Sequence, residues 1–172
     1  MPRLTLPSAQ FRESYVAAAA EYAAEGGKGF WFVTPATFDA GLQRLSDLRE
    51  GRNVPEGFVP CTFLWLVTEN EYLGHVSIRH VLNPWLEKIA GHIGYRIRPR
   101  HRRQGYGRLI LRLALPEAHR LGINPALVTC DATNVASRKI IEANGGVLRD
   151  QLDQGEGLPP KLRFWLPTNP AR

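Results

Sequence analysis

Ile97-Arg98-Pro99-Arg100-His101-Arg102-Arg103-Gln104-Gly105-Tyr106-Gly107-Arg108 is the stretch on which the reading of this chain turns. A β-like segment from Gly91 to Arg98 enters a basic turn spaced by glycines, and an amphipathic helical pattern begins directly after Gly105. Glycines at 105 and 107 let the backbone come close to a ligand. A helix that starts there offers unpaired N–H groups and the positive end of its dipole to a phosphate. The layout is that of an anion cradle. Taken alone, two glycines at a helix start often serve only a tight turn, so the surroundings carry the weight.

Charge supports the cradle. The chain holds 22 Lys and Arg against 16 Asp and Glu, a formal net charge of +6, and seven arginines fall between Arg96 and Arg112. Such a cluster suits an anionic cofactor or a nucleic acid. Binding of nucleic acid through Arg100 to Arg112, with Tyr106 and His101 stacking on bases, is the lesser reading, because the patch is short and no further basic aromatic cluster follows. A dinucleotide fold fits less well: Ile110 stands where Gly-x-Gly-x-x-Gly needs its third glycine, and no βαβ unit opens the chain. No Walker-type Gly-Lys-Ser/Thr occurs.

At 172 residues and 44% hydrophobic content, the chain suits one domain over residues 1–167 with a short flexible tail, 168–172. No apolar run approaches the roughly 20 residues of a membrane helix, and Met1 to Thr5 lacks a signal-peptide core, so a cytoplasmic protein without a membrane partner is expected. Cys61 and Cys130 have no metal-ligand or redox spacing and read as reduced, structural residues, with no metal site.

Along the chain, Ser8 caps a helix through the alanine-rich run to Ala24, which stops at Gly26-Gly27. Thr34-Pro35 reads as a second N-cap, with a helix over Phe38 to Leu48, and Arg52 to Pro60 as a loop. Thr62 to Thr68 and Tyr72 to Leu82 form a hairpin. The next strand places Ile93, Tyr95 and Ile97 on one face and His92, Gly94 and Arg96 on the other. After Gly105, Leu109, Ile110, Leu113, Ala114 and Leu121 make the apolar stripe of a helix in which Pro116 predicts a kink or early break near Arg112. A short strand over Ala126 to Cys130, a helix over Asn134 to Asn144 and two final strands, Val147 to Asp153 and Leu162 to Leu166, complete a mixed α/β order.

Arg102-x-x-Gly105-x-Gly107 resembles the acyl-CoA pyrophosphate loop of the GCN5-related N-acetyltransferases (GNAT). Cys130-Asp131-Ala132-Thr133-Asn134-Val135-Ala136-Ser137 resembles that family's second motif, in the family's order and spacing. With Gly91 to Tyr95 and Asn144-Gly145-Gly146, the resemblance covers roughly residues 60–166 and is closest to a poorly characterised branch of acetyltransferases. It implies an α/β fold with a central, mostly antiparallel sheet, splayed at the family's strands 4 and 5 and flanked by helices. It implies acetyl-CoA as co-substrate, with the pyrophosphate on the amides of Arg103, Gln104, Gly105, Tyr106 and Gly107 and with Arg102 and Arg108 adding charge. Tyr95, Arg96 and Ile97 would line the wedge for the pantetheine arm, and Asn134 would contact that arm or cap its helix, with Ser137 beside it.

The implied reaction is acetyl transfer to the primary amine of a small molecule or peptide, by direct attack in a ternary complex. Many relatives carry a glutamate base where this chain has His92, whose imidazole is the candidate general base, with a hydrogen bond within the sheet as its structural alternative. Many relatives place an acidic tyrosine where this chain has Ile141, so the acid is open: water or another hydroxyl can donate, and Tyr95 and Ser137 are candidates. A non-catalytic acyl-CoA binder is the alternative function. The first two helices and the loops at Arg52 to Pro60 and Gln154 to Pro160 are expected to set the acceptor, with Trp31 and Trp85 as pocket candidates and Trp65 in the core. A homodimer is the ordinary expectation for a small enzyme.

Overall fold

The computed structural model describes residues 1–26 and 33–169. Among these, seven strands form one sheet: β1 (Arg3–Thr5), β2 (Cys61–Val67), β3 (Tyr72–Arg79), β4 (Ile93–Ile97), β5 (Ala126–Asp131), β6 (Val147–Leu152) and β7 (Lys161–Leu166). Their order is β1-β2-β3-β4-β5-β7-β6, and every neighbouring pair is antiparallel except β4 with β5. Helices α1 (Arg12–Ala24) and α2 (Phe38–Arg49) cover one face, and α3 (Tyr106–Arg120) and α4 (Val135–Ala143) the other.

Two cores follow from this layering. On the α1/α2 face, Tyr15, Ala18 and Tyr22 form a stripe at helical spacing and meet Trp65, Val67 and Tyr72 of the sheet. Tyr15 stacks on Trp65 with ring centroids 4.7 Å apart, so Trp65 is a core residue, as its sequence context implies. On the opposite face, Leu64, Leu66, Val76 and Ile78 pack beneath Ile110, Leu111, Ala114 and Ala118 of α3. The inner strands β2 and β3 are therefore buried on both sides, which is why their sequences read as apolar runs rather than alternations.

Several boundaries differ from the sequence reading. Pro116 does not break α3, which continues to Arg120. The proline removes one hydrogen bond, but Ala114 and Ala118 on either side of it are both buried, so packing holds the two halves to the sheet. Leu121 lies beyond the helix and is exposed instead of completing the stripe. Thr34 caps a turn, accepting from the Thr37 amide at 3.1 Å, and the helix starts only at Phe38. The edge strand β1 was too short to be legible, and a five-residue π-helical turn over Leu86–Ala90 follows Asn83, whose Oδ1 accepts the Leu86 amide. Thr168, assigned to the tail by sequence, is fully buried and donates to the Ile123 carbonyl at 2.6 Å. Gly27 and Trp31 lie outside the described residues.

Candidate functional site

The basic turn has the geometry of a cradle. Arg103 and Gly105 both adopt positive φ, 60° and 84°, which turns successive amides toward the same side before α3 begins. A side chain at Gly105 would meet nothing within 4 Å, so glycine is needed there for its backbone conformation. Gly107 has a different reason: an added Cβ would lie 2.6 Å from Cδ1 of Ile140, so this glycine seats α3 against α4. Among the described residues, the amides of residues 103–108 donate to no backbone acceptor, whereas the Leu109 amide reaches the Gly105 carbonyl at 3.1 Å. Six consecutive donors at a helix start form a set that a pyrophosphate can satisfy.

The arginines around the cradle are not one pool of free charge. Arg98 is fully buried and donates to Glu21 at 2.7 Å, with Glu71 at 3.4 Å and Ser14 at 3.1 Å around it. Arg100 also pairs with Glu71. Burial pushes the Glu21 carboxyl up, but bonds from Arg98 and Arg100 outweigh it and hold the group below its usual range. Arg102, expected to face the phosphates, pairs with Glu25 at 2.9 Å and donates to the Ile97 carbonyl at 3.2 Å. Arg98, Arg100 and Arg102 thus fasten the turn to α1 and to the loop before β3. Arg103 and Arg108 are exposed at the cradle and make no ion pair among the described residues.

Beyond the cradle the sheet splays. The only register pair between β4 and β5 is Ile93 with Val128, after which the strands diverge. The Arg79 amide donates to the His92 carbonyl and the Arg98 amide to the Leu73 carbonyl, so even-numbered residues of this segment pair with β3. By alternation the N–H and C=O groups of Tyr95 and Ile97 face the splay. Arg96, expected in the wedge, directs its backbone to His75 and its guanidinium over the Tyr22 ring at 5.3 Å. Asn134 stands at the start of α4 and its Oδ1 accepts the Ser137 amide at 3.0 Å. Asn134 itself is exposed, and its side-chain nitrogen makes no hydrogen bond among the described residues. Tyr95 projects to the α4 side, with its buried hydroxyl near Ser137 but in no hydrogen bond of good geometry. Burial pushes that phenol up to about 12, opposed by Ser137.

His92 sits where the splay begins, but its Nδ1 accepts the Leu127 amide at 2.9 Å, and its own amide donates to the Leu127 carbonyl at 2.7 Å. The ring lone pair is thus engaged by the sheet. Burial, then Arg79, lowers its proton affinity. Gly91, just before it, has φ 62° and ψ −167°, and a Cβ there would lie 2.4 Å from the Leu127 carbonyl oxygen. Sequence reasoning passed over Gly91 because nothing local marks a contact with a strand some 35 residues later.

On the α1/α2 face of β2, β3 and β4 lies a cavity of about 550 Å³. Phe63 and Trp65 form part of its floor, Tyr15, Leu45 and Leu48 its helical wall, and Phe58 with Trp85 its mouth. The Arg52 to Pro60 loop reaches it through Gly57, Phe58 and Val59. The Gln154 to Pro160 loop does not: Gln154 turns to Asp131 and the Pro159 carbonyl. His75, Ser77, Arg79, Gly94 and Arg96 supply the cavity's polar surface, and among the described residues no carboxylate lines it. His75 is enclosed beside the Tyr72 hydroxyl at 2.7 Å, and burial, then Arg96, lowers its pKa to about 3.

A splayed sheet with an amide cradle at its mouth and an open cavity on the α1/α2 face describes an acyl-carrier transferase. The family model of the acetyltransferase (GNAT) domain matches residues 31–147, and the chain belongs to that family. Similar solved structures include the ribosomal L7/L12 α-N-protein acetyltransferase RimL in complex with coenzyme A, held there as a disulfide to a cysteine of that protein. It is 17% identical, with a TM-score of 0.69, over 95% of this chain and 92% of that one. The ribosomal-protein-S5-alanine acetyltransferase of Vibrio fischeri is 16% identical over 98% and 93%, with a TM-score of 0.68. The yncA protein of Salmonella typhimurium, solved with its cofactor acetyl-CoA, is 15% identical over 99% and 95%, with a TM-score of 0.63. No curated protein sequence matches the chain.

Proposed function

We propose that this protein is an acetyl-CoA-dependent N-acetyltransferase that transfers the acetyl group to a primary amine by direct attack within a ternary complex. The observation that carries this reading is the continuity of three features: the amides of residues 103–108, the splay beyond Ile93 and Val128, and the cavity on the far face. Acetyl-CoA supplies an activated thioester. The chain's own residues do the rest.

The amides from Arg103 to Arg108 hold the pyrophosphate, with Arg103 and Arg108 as neighbouring charges. Backbone groups of Tyr95 and Ile97, and the amide of Asn134, align the pantetheine arm. A backbone N–H of β4 at the splay polarises the thioester carbonyl, and holding both reactants in line contributes much of the rate. His92 acts as a positioning residue that fixes the angle between β4 and β5. The amine enters already deprotonated, because among the described residues the only imidazole of the cavity lining, His75, is held neutral by burial. Tyr95, whose buried hydroxyl has no partner among the described residues, returns a proton to the leaving thiolate, since the buried Ile141 has none to give; the unpaired hydroxyl supports this role.

The test is a calorimetric titration with acetyl-CoA of the wild type and of Gly105→Val, followed by an amine screen that detects released thiol. Saturable binding lost in the variant, with transfer to an amine, is expected. Binding without transfer to any amine means a non-catalytic acyl-CoA-binding protein. No binding overturns the reading.

A further inference from the structure

We infer that the acceptor is an amino carboxylate with an apolar side chain, and that Arg79 is the residue that recognises its carboxylate. This rests on the acetyltransferase reading for the identity of the amine, but the anion site stands on its own geometry.

Arg79 ends β3 with its side chain on the cavity face, half-buried. Its Nη1 donates to the carbonyls of Ala90 and Gly91 at 3.3 and 3.1 Å, where the π-helical turn ends. Those bonds orient the guanidinium but leave its charge without a counter-ion: among the described residues no carboxylate forms an ion pair with Arg79, in contrast to Arg98, Arg100, Arg102 and Arg163. A partly desolvated charge is unfavourable unless something neutralises it. Among the described residues the cavity lining holds no acid, so a ligand that carries an anion there supplies the neutralising charge. A guanidinium with an unengaged Nη2 edge suits a carboxylate.

Position narrows the class further. Both Nη atoms of Arg79 lie 3.6 Å from where a Cβ of Gly94 would stand, and Gly94 follows Ile93, the last residue paired across the splay. The anion site therefore lies beside the residue that follows the last pair across the splay. That closeness suits an amine and a carboxylate carried on the same or adjacent carbons better than a peptide whose carboxylates lie residues away from its N-terminus. Much of the remaining wall is apolar, with Phe58, Phe63, Trp65 and Trp85 beside Leu45 and Leu48, and favours an apolar side chain. An acceptor with a second cation, such as a polyamine, meets no acid and two arginines, Arg79 and Arg96.

The experiment compares N-acetyl-L-phenylalanine with its C-terminal amide, binding followed by quenching of cavity tryptophan fluorescence and by calorimetry, without acetyl-CoA. The wild type is expected to bind the acid at least tenfold more tightly than the amide. Arg79→Gln is expected to lose that preference by weakening the acid at least tenfold while moving the amide less than threefold, and Arg79→Lys to restore part of it. Equal affinity of the wild type for the two ligands, or a preference that survives in a folded Arg79→Gln, overturns the inference. Should Arg79→Gln fail to fold, the wild-type ratio decides. Acid binding without acetyl transfer to phenylalanine or other amines overturns the transferase reading and leaves the anion site standing. Transfer to amines and their amino-acid counterparts with equal kcat/KM, together with equal affinity for acid and amide, does the reverse.

Discussion

The Nδ1 atom of His92 accepts the backbone N–H of Leu127 at 2.9 Å, joining the last turn before β4 to the start of β5. A nitrogen that holds a backbone proton is not free to take one from an ammonium group. The kcat/KM of the wild type is therefore expected to rise about tenfold per pH unit up to the pKa of the acceptor amine, without an inflection from a histidine. His92→Ala is expected to keep that profile while unfolding about 1 to 3 kcal/mol more easily, the usual effect of leaving a buried donor unpaired. A profile that loses its neutral limb in the variant would return His92 to the role of base.

Acid sensitivity is expected well before the carboxylates titrate. Burial lowers the proton affinity of His75, His80 and His92 relative to the unfolded chain, His75 to about 3. A depressed folded value means that the unfolded state binds protons first. Stability from these groups is complete above pH 6.5 and is lost as pH falls from there toward 3. Urea midpoints at pH 7.5, 6.0 and 5.0 should fall in that order, and His75→Gln should flatten the decline.

Arg98→Met is expected to cost about 1 to 3 kcal/mol, because it removes a buried guanidinium from Glu21, Glu71 and Ser14 and leaves the two carboxylates, which are partly exposed, to Arg100 alone or with His101. Arg102→Ala removes the half-exposed pair with Glu25 and one bond to the Ile97 carbonyl, and should cost less, roughly 0.5 to 1.5 kcal/mol. Denaturant unfolding of both variants measures the contrast.

The same arginines separate in acetyl-CoA affinity. Arg103→Ala and Arg108→Ala are each expected to weaken binding about 2- to 30-fold, the range of single helix-terminus and charge contacts. Arg102→Ala, whose charge is already engaged, should change it less than twofold. A calorimetric series in which Arg102 matters most would show that its pairing with Glu25 gives way when the donor binds.

Gly91→Ala is expected to be more damaging than Gly94→Ala. At Gly91 the added carbon meets the Leu127 carbonyl at 2.4 Å on a backbone that side chains rarely adopt, whereas at Gly94 the nearest atom is Ser77 Oγ at 3.3 Å. Strain and overpacking together give about 2 kcal/mol or more for Gly91→Ala. Thermal unfolding checks this, and acetyl-CoA affinity should fall with it, since the clash lies at the mouth of the splay.

What the sequence alone determined is what local chemistry encodes. Positive φ at Gly105, the cap at Asn134 and the faces of β4 each depend on a few adjacent residues, so the cradle, the second motif and the register of Ile93, Tyr95 and Ile97 were legible in order and spacing. Only the tertiary structure decided the rest, because it depends on partners distant in the chain. Charge along the sequence could not reveal that Glu21, Glu25 and Glu71 claim Arg98, Arg100 and Arg102, or that Leu127 claims the lone pair of His92. Pro116 kept its helix because burial on both sides outweighed one lost hydrogen bond. Arg79 looked like any strand arginine until the sheet placed it on a cavity wall without an acid. Local propensity acts over a few residues, whereas pairing and burial act between elements that only folding brings together.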